Sequence, residues 1–415
     1  MTNTREIDMR FLFYSHDGFG LGHTCRNLAI ARCLTELEPR ATILLATGSD
    51  DVTRLGVPDR VEILKLPGLR KLGNENYGPR HLGVSAEEVR HLRSRLLTSA
   101  IESFRPDVLL VDKHPFGASG ELKEALAMSR QSGGRSVLGL RDILDEPSTV
   151  RAEWQPHHLP EAITDHYDAV FVYGQRELFD PSAAYGFPPE LAARTRFCGY
   201  VANCGSAPDG TSASLPLAWT NDSAHPLVLA TVGGGEDGFT LLEHFLMACG
   251  GDCWRTVAVA GPLMPEVQHA RLQHLAHEFG VEFHSFVPGL NHWLAVANAV
   301  VCMGGYNTLA QTLAASTPVV CVPRCEPRRE QLVRAEAFAR HGLLRLVTPD
   351  QLSPERLRRE IRAALGTPRS ELRDRIHSTV DFNGAERAAI HLLGLAQAAG
   401  LRPRQSLPLP HLAVA

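Results

Sequence analysis

The first candidate for chemistry is a pair of glycines, Gly304 and Gly305, in the run Gly-Gly-Tyr-Asn-Thr at 304–308. We interpret residues 299–329 as strand, glycine turn, helix, strand and basic loop, because the apolar runs are short, β-branched and unbroken. A glycine turn leaves the first amides of the following helix open. Those amides, together with the helix dipole, can hold a phosphate. The alternative is an ordinary strand-to-helix turn with no ligand.

The second candidate is a histidine, His23, at the end of a polar loop that follows the first apolar run. A neutral imidazole accepts a proton near neutral pH, so His23 is the preferred general base. Asp17 and Asp112 are competing bases, and either one alternatively orients His23. A structural histidine that caps or orients the loop is also open. The loop glycines, Gly20 and Gly22 among them, end in G-x-G and so do not form the dinucleotide-binding fingerprint.

Two similar α/β patterns position these candidates. Buried strands of the first half are predicted at 10–14, 42–46, 107–111, 136–140 and 169–173. The pattern restarts with a strand at 227–232, followed by three glycines at 233–235. Since ligands bind beyond the carboxyl ends of parallel strands, residues such as Asp112 are placed for function. The predicted fold class is α/β, with two Rossmann-like doubly wound domains that face a central cleft.

Composition predicts the domain boundaries. A first domain covers 1–201, and a stretch rich in Gly, Ser, Ala, Asp and Asn at 202–226 is the predicted linker. The second domain covers 227–400, and a Pro-bearing tail follows at 401–415. Within the first domain, the Gly-, Pro- and Asn-containing residues 66–83 predict a long loop near the cleft.

Overall composition restricts the function classes. The chain has 415 residues, 44% hydrophobic and 21% charged, as expected for a globular protein. Its formal net charge of −4 argues against a general nucleic-acid binder. None of the nine cysteines forms a C-x-x-C pair, so no zinc site or disulfide framework is indicated. Neither a signal peptide nor a membrane span is evident, so we expect a cytoplasmic and, from its arginine-rich basic residues, bacterial protein.

In both halves these motifs resemble the MurG-like family of cell-wall N-acetylglucosaminyltransferases, which are GT-B glycosyltransferases. The second half resembles it through the 233–235 glycine turn, Phe286-Val287 before a loop, the 304–308 run and Glu330-Gln331. The first half resembles it through Gly20-Leu21-Gly22-His23. The order and spacing of these motifs are more specific than any one of them, and they cover most of the chain. The resemblance implies a GT-B fold and sugar transfer from a nucleotide donor.

The resemblance also implies the binding residues. The two glycine turns would hold the diphosphate of a nucleotide sugar, Phe286-Val287 would lie against the base, and Glu330-Gln331 would bond the sugar hydroxyls. Gln311 stands where the family usually has a glutamate that bonds the ribose. The implied donor-binding residues are Gly233, Gly234, Gly235, Phe286, Val287, Gly304, Gly305, Asn307, Thr308, Gln311, Arg324, Glu330 and Gln331. Gly20 and Gly22 would form the acceptor or phosphate loop of the first domain.

A basic loop near the end of this segment has no close counterpart in the family. Its arginines are Arg324, Arg328 and Arg329. They either help to hold phosphate through charge-assisted bonds or, for Arg328 and Arg329, lie on a solvated loop.

Sugar transfer requires stabilisation of the leaving diphosphate, deprotonation of the acceptor hydroxyl and alignment of both across the anomeric carbon. Helix N-termini and backbone amides meet the first need without a metal. No acidic metal motif stands out, so we expect a metal-independent, inverting glycosyltransferase without a cofactor. Its donor would be a nucleotide sugar, most simply one of UDP, and its acceptor a small or carrier-bound molecule, as in secondary metabolism.

Other functions would use the same residues. The segment from Gly22 to Arg26 also resembles the G-H-x-x-R segment of nucleotide-sugar hydrolases of the PseG type, in which water is the nucleophile. Nucleotide-sugar 2-epimerases share the fold but need further carboxylates, which the sequence does not place. A non-catalytic nucleotide-sugar-binding protein is the remaining alternative, and it would tolerate His23→Ala.

Overall fold

The computed structural model describes residues 9–15, 22–50, 52, 56–73, 76–202, 225–250 and 254–400. Between residues 9 and 202 the strands are β1 (Arg10–Ser15), β2 (Thr42–Thr47), β3 (Val61–Lys65), β4 (Leu69–Gly73), β5 (Asn76–Pro79), β6 (Val108–Asp112), β7 (Arg135–Arg141), β8 (Ala169–Tyr173) and β9 (Thr195–Phe197). Seven of them form a parallel sheet in the order β3-β2-β1-β6-β7-β8-β9, which we call the first sheet.

A second parallel sheet follows in the chain. Its strands are β10 (Leu227–Thr231), β11 (Arg255–Val259), β12 (Glu282–His284), β13 (Ala299–Cys302), β14 (Val319–Cys321) and β15 (Arg345–Leu346). They pair in the order β12-β11-β10-β13-β14-β15. The two parallel sheets confirm the predicted α/β class.

Helices connect the strands. Beside the first sheet they are α1 (Gly22–Leu37), α2 (Ala86–Phe104), α3 (Lys123–Gln131), α4 (Pro147–Trp154), α5 (Leu159–His166), α6 (Pro181–Ala184) and α7 (Pro189–Ala193). Beyond residue 225 they are α8 (Phe239–Cys249), α9 (Glu266–Phe279), α10 (Leu290–Val296), α11 (Tyr306–Ala314), α12 (Glu330–Arg340), α13 (Pro354–Leu365), α14 (Arg369–Thr379) and α15 (Gly384–Gly400). Of the helices described, none has the length and apolarity needed to cross a membrane.

Each sheet has one point at which the chain reverses its direction of travel across the strands. In the first sheet, successive strands run outward from β1 to β3, and the chain then returns to place β6 on the other side of β1. The second sheet repeats this plan with β10 and β13. Such a switch point leaves a crevice at the carboxyl ends of the two central strands, where open α/β sheets bind ligands.

Apolar side chains cover both faces of each sheet. Every residue of β6, β8 and β10 is buried, as the unbroken apolar runs predict. One hydrophobic cluster extends from Phe11 and Phe13 of the first sheet through Tyr306 to Val300 of the second. The two sheets are thus joined by a continuous core at the side that carries α1 and α11.

The last helix, α15, returns to the first sheet. Leu392 is fully buried in the shared core, and α15 packs against α1. Just before this helix the chain runs beside the end of the first sheet, where Val201 forms an antiparallel bridge with Asn383 and the Tyr200 amide donates to the Asp381 carbonyl at 2.7 Å. The sequence placed α15 with the second domain, whereas its contacts are with the first sheet. The boundaries themselves stay predictions, and 203–224 and 401–415 lie outside the described residues.

The prediction of a long loop at 66–83 was wrong. Strands β4 and β5 form an antiparallel hairpin there, with Leu69 opposite Pro79. A small apolar cluster, in which Tyr77 packs against buried Leu69, Val89 and Ala118, stabilises it. The abundance of turn-forming residues concealed this local core.

Candidate active site

The glycine turn after β10 and the glycine pair after β13 meet at the switch point of the second sheet. They line a pocket of about 200 Å³. Its walls are Thr231, Val232, Gly233, Gly234, Gly235, Glu236, Asp237, Met303, Gly305, Thr308, Arg324 and Gln331. The structure therefore gathers into one cavity the glycine turn and much of the remaining predicted donor site.

Glycine is required at one corner of this pocket. Gly235 has a φ of +99°, and a Cβ there would overlap the Ala260 carbonyl and lie 3.1 Å from the Met264 nitrogen. The turn after β10 thus packs directly against the loop after β11, with no space for a side chain between them. Its opposite side remains available to the pocket.

The N-terminus of α11 opens on the same pocket. Gly305 is the N-cap residue, and no side chain caps the first turn of the helix. A Cβ at Gly305 would meet no described atom within 4 Å. Exposed first-turn amides, the helix dipole and this open space together form a site that suits an anion.

Arg324 organises the polar side of the pocket. Its guanidinium donates to Asp237 at 2.9 Å and to Glu330 at 2.6 Å, and its backbone amide donates to the Gln331 side chain at 3.2 Å. Burial alone would lower the pKa of Arg324, but the carboxylates of Glu330 and Asp237 raise it. Because two carboxylates already offset this charge, the contacts favour a role in positioning Glu330 and Gln331. Phosphate binding by Arg324 stays a prediction.

Glu330 retains one oxygen for a further partner. The residue is buried at the start of α12, and Arg324 occupies its Oε1. Its Oε2 is buried and has no hydrogen-bond partner among the described residues. A buried carboxylate oxygen without a donor is unfavourable, so a hydroxyl that reaches this atom would gain a strong bond.

Several predicted donor residues do not line this pocket. Phe286 is 56% exposed and Val287 is buried. Gln311 is half-buried in α11, and the Gly304 carbonyl accepts a bond from Arg334 at 3.1 Å. The predicted contacts with the base, by Phe286 and Val287, and with the ribose, by Gln311, stay predictions.

At the switch point of the first sheet, three side chains form an ionic network. The Nδ1 atom of His23, in the first turn of α1, lies 3.2 Å from Oδ2 of Asp112, which ends β6. Arg26, one turn further along α1, donates to the two Asp112 oxygens at 2.8 and 2.7 Å. Asp112 and Arg26 are almost completely buried, whereas the His23 side chain is 15% exposed. Asp112 and Arg26 are therefore held in the protein interior, and the imidazole is the partly exposed member of the network.

Two contacts bear on the tautomer of His23. Its Nδ1 lies 3.2 Å from Oδ2 of Asp112 and 3.0 Å from Nη2 of Arg26, so it either donates to the carboxylate or accepts from the guanidinium. With the proton on Nδ1, the imidazole donates to Asp112 and Nε2 is a proton acceptor. Of the two neutral tautomers, this is the one in which Nε2 can act as a base.

The environment of Asp112 distinguishes its two predicted roles. Burial alone would raise the pKa of Asp112, but the charge of Arg26 and the contact with His23 lower it to about 2. A carboxyl group with such a pKa accepts few protons near neutral pH. The contacts thus favour Asp112 as the residue that orients His23. The competing base Asp17, together with Gly20, lies outside the described residues.

The two switch points face each other across a narrow gap. A Cβ on Gly22, the first residue of α1, would lie 2.8 Å from Nδ2 of Asn307 near the start of α11. A side chain at Gly22 would therefore require the Asn307 side chain to move. This close approach places the histidine end of α1 beside the amide end of α11, as the predicted central cleft requires.

A buried ion pair that sequence reasoning missed crosses between the two sheets. Arg334 of α12 donates through Nε and Nη2 to the two oxygens of Asp142, each at 2.7 Å, and both side chains are only 1% exposed. The Tyr200 hydroxyl donates to the same carboxylate at 3.1 Å. Residues so distant in the chain leave no local pattern that could have revealed this contact.

Arg328 and Arg329 both pair with acidic residues. Arg328 pairs with Asp145 at 3.2 Å and with Glu153 at 3.0 Å. Arg329 pairs with Glu146 at 3.1 Å, and its backbone amide donates to Asp145. The basic loop therefore lies against acidic residues that follow β7, and the Arg329 side chain is 51% exposed. Phosphate binding by these two arginines stays a prediction.

Comparison with known proteins adds a family match and related sequences. Residues 260–386 match the glycosyltransferase family 28 C-terminal domain. An uncharacterized glycosyltransferase of Methanopyrus kandleri is 36% identical over 104 residues, which are 25% of this chain and 28% of that protein. The UDP-N-acetylglucosamine--N-acetylmuramyl-(pentapeptide) pyrophosphoryl-undecaprenol N-acetylglucosamine transferase of Corynebacterium efficiens is 25% identical over 63% of this chain and 71% of the relative. The chain thus spans under a third of the first relative and about seven-tenths of the second.

Solved structures share the fold over nearly the whole chain. The calicheamicin glycosyltransferase CalG4 has a TM-score of 0.62 at 16% identity, covering 96% of this chain and all of that one. The glycosyltransferase VinC, solved with dTDP, has a TM-score of 0.63 at 17% identity, covering 94% of this chain and 100% of that one. MurG of Acinetobacter baumannii has a TM-score of 0.56 at 14% identity, covering 94% and 99%.

These comparisons confirm the predicted GT-B fold and the resemblance to MurG-like glycosyltransferases. They also confirm the predicted enzyme class, because the family match and the named relatives are glycosyltransferases. At these sequence identities the structural neighbours establish the fold alone. The donor and acceptor of this chain must be inferred from its own site.

Proposed function

We propose that this chain transfers a sugar from a nucleoside-diphosphate sugar, most simply one of UDP, to a hydroxyl of a small or carrier-bound acceptor. The observation that supports this most is the contact between Gly22 and Asn307, which joins a histidine base and a helix N-terminus in one cleft. Direct transfer needs a base and a phosphate site close enough to act on one anomeric carbon.

The second sheet would bind the donor. In this proposal the 233–235 turn and the start of α11 hold the diphosphate, and their amides offset the negative charge that grows on the leaving group. The unpartnered oxygen of Glu330 and the side chain of Gln331 would bond the sugar hydroxyls. Transfer proposed in this way needs neither a metal ion nor a cofactor.

The first sheet would activate the acceptor. Nε2 of His23 takes the proton of the acceptor hydroxyl as its oxygen attacks the anomeric carbon. The bond from that carbon to the phosphate oxygen breaks, and its electron pair leaves with the nucleoside diphosphate. The imidazolium that forms is stabilised by Asp112, which is ionised and in contact with Nδ1. Attack opposite the departing phosphate inverts the anomeric carbon.

The assignment of domains follows from this chemistry. We propose that residues 1–201 bind the acceptor and that residues 227–400 bind the donor, in the cytoplasm of a bacterium. The relative from Corynebacterium efficiens is named as a transferase to a carrier-bound acceptor, and CalG4 as a calicheamicin glycosyltransferase. Both kinds of acceptor are therefore worth testing, including those of secondary metabolism.

Hydrolysis of a nucleotide sugar is a second candidate function. The contact of Arg26 with both His23 and Asp112 supports it, because the G-H-x-x-R segment then acts as one unit. Water would take the position of the acceptor hydroxyl, and the same histidine would receive its proton.

The test measures thermal stability against nucleoside diphosphates and nucleotide sugars. A ligand at a hundred times its dissociation constant adds about 2.7 kcal/mol to the native state, which is a readily visible shift. We expect a nucleoside diphosphate to raise the melting temperature. Release of nucleotide that requires an acceptor would support the transferase, and release in water alone would support the hydrolase. No shift with any of these ligands would contradict both.

A further inference from the structure

A third arginine lies at the cleft beside the two that form buried ion pairs. Arg141 ends β7, which neighbours β6 and its terminal residue Asp112. Arg26 is paired with Asp112, and Arg334 with Asp142. The Arg141 side chain has no hydrogen bond or ion pair with any described residue, and its Nε is buried without a partner.

The charges that act on Arg141 come from both sheets. Burial, followed by the positive charges of Arg334 and Arg26, lowers the pKa of Arg141, while Glu330 and Asp142 act in the opposite direction. Arg334 and Glu330 belong to α12, whereas Arg26 belongs to α1. Arg141 therefore interacts electrostatically with residues of both sheets, including Arg26 of the histidine network and the proposed sugar-binding carboxylate of Glu330.

The two described carboxylates that act on Arg141, those of Asp142 and Glu330, are bonded to other arginines through three of their four oxygens. Asp142 binds Arg334 through both oxygens, and Glu330 binds Arg324 through Oε1. A partly buried cation beside two further cations is unfavourable in the protein alone. An incoming anion would remove this cost, and a guanidinium matches phosphate oxygens with two parallel bonds.

We propose that Arg141 binds a phosphate group of a substrate in the cleft, a role that the family resemblance does not assign to it. The inference rests on the proposed function, since it requires a phosphate-bearing substrate between the sheets. The phosphate comes either from the donor diphosphate or from a phosphorylated acceptor. Arg141 is then a binding residue whose charge is only partly compensated until the substrate is bound.

A residue of this kind should not stabilise the empty protein. We expect Arg141→Gln to leave the melting temperature of the ligand-free protein unchanged or to raise it, because the repulsion from Arg26 and Arg334 is lost. A structural arginine would instead lower the melting temperature when replaced. The matched control is Arg373→Gln, which removes the same charge from an exposed position in α14.

The test is calorimetric binding of inorganic pyrophosphate and of UDP to the full chain and to both variants. We expect Arg141→Gln to weaken pyrophosphate binding about tenfold or more, since charge-assisted bonds are lost, and Arg373→Gln to leave it unchanged. If UDP competes with pyrophosphate and also weakens in Arg141→Gln, the donor supplies the phosphate. The alternative result is that pyrophosphate still binds to UDP-saturated wild-type protein and that Arg141→Gln loses this binding but keeps its affinity for UDP. In that case the acceptor supplies the phosphate.

Two results would overturn the role of Arg141. One is wild-type protein that does not bind pyrophosphate with or without UDP. The other is Arg141→Gln protein that binds pyrophosphate and UDP with wild-type affinity. Failure of the proposed function is seen separately, as wild-type protein to which no nucleoside diphosphate binds.

Discussion

The two ends of the cleft are built from different materials. At the first sheet, the site is a network of the side chains of His23, Asp112 and Arg26. Asp112 and Arg26 are buried and paired before any substrate binds. At the second sheet, the pocket includes four glycines and the uncapped N-terminus of α11, with open space at Gly305. One end is suited to moving a proton, and the other to receiving an anion.

This difference teaches how each end can be disrupted. A network of side chains fails when one member is removed, because the others are left with an unpaired charge or the wrong orientation. A phosphate site made of backbone amides has no side chain to remove, so addition of a side chain is the direct way to disrupt it. The following predictions test this contrast, beginning with the largest expected effect.

Removal of the imidazole should abolish most of the turnover. We expect His23→Ala to lower the rate of nucleotide release by roughly 10²–10⁴-fold, the usual contribution of a general base. The affinity for UDP should remain, since the 233–235 turn and α11 are untouched. The measurement is steady-state nucleotide release together with the UDP-induced thermal shift. His274→Ala, at an exposed position of α9, is the control, and equal rates for the two variants would make His23 structural.

The link between the two ends should depend on a buried ion pair. Asp142→Asn leaves Arg334 buried without its counter-charge, so we expect a loss of about 3–5 kcal/mol in the free energy of unfolding. The control is Glu146→Gln at the exposed pair with Arg329, which should cost less than about 1 kcal/mol. Urea unfolding measures both variants. Similar losses would mean that burial does not distinguish the two pairs.

Addition of a side chain at Gly305 should block the proposed diphosphate site. Gly305→Val should fold normally, because a Cβ at this position meets no described atom within 4 Å. Its side chain would occupy the approach to the first amides of α11, so the UDP-dependent stabilisation of about 2.7 kcal/mol should disappear. Gly394→Val, at another open glycine in α15, should keep it. Retention of the thermal shift in Gly305→Val would refute the diphosphate assignment.

Low pH should remove the stabilisation that ionised Asp112 gives to the folded protein. The pKa of Asp112 is lowered from 3.8 to about 2 in the folded chain, so its ionisation stabilises the protein above pH 4. This contribution, about 2 kcal/mol for a shift of this size, is lost as the pH falls through 2. At pH 5 the Asp112→Asn variant should have a lower free energy of unfolding than the wild type. This difference should shrink by about that amount when the pH is lowered to 2. Urea unfolding across this range measures it, and parallel pH profiles would contradict the ionic assignment.

The sequence predicted those parts of the molecule that depend on local patterns. Unbroken apolar runs identified strands such as β6 and β10, and the glycines at 233–235 and Gly305 indicated a turn that lines a pocket. His23 was placed at the end of the loop after the first strand and Asp112 at the carboxyl end of another strand, and the structure brings them together.

Features that depend on contacts between distant segments escaped prediction. The pairing of Arg334 with Asp142, and of Arg328 and Arg329 with the acidic residues after β7, exists only when the two sheets are packed together. The position of α15 also depends on such contacts. Its apolar periodicity predicts a helix but does not indicate which sheet the helix packs against. The hairpin of β4 and β5 was missed for a different reason, since its turn-forming residues conceal a core of only four side chains.

The bridge between Val201 and Asn383 has a mechanical consequence. The chain passes between the two sheets twice, once after Val201 and once before α15, and at these passages the two segments lie side by side with the Gly384 amide bonded to the Tyr200 carbonyl at 3.1 Å. Two crossings that are bonded to each other restrict relative movement of the sheets more than a single covalent connection would. We therefore expect His23 and the start of α11 to keep their relative position.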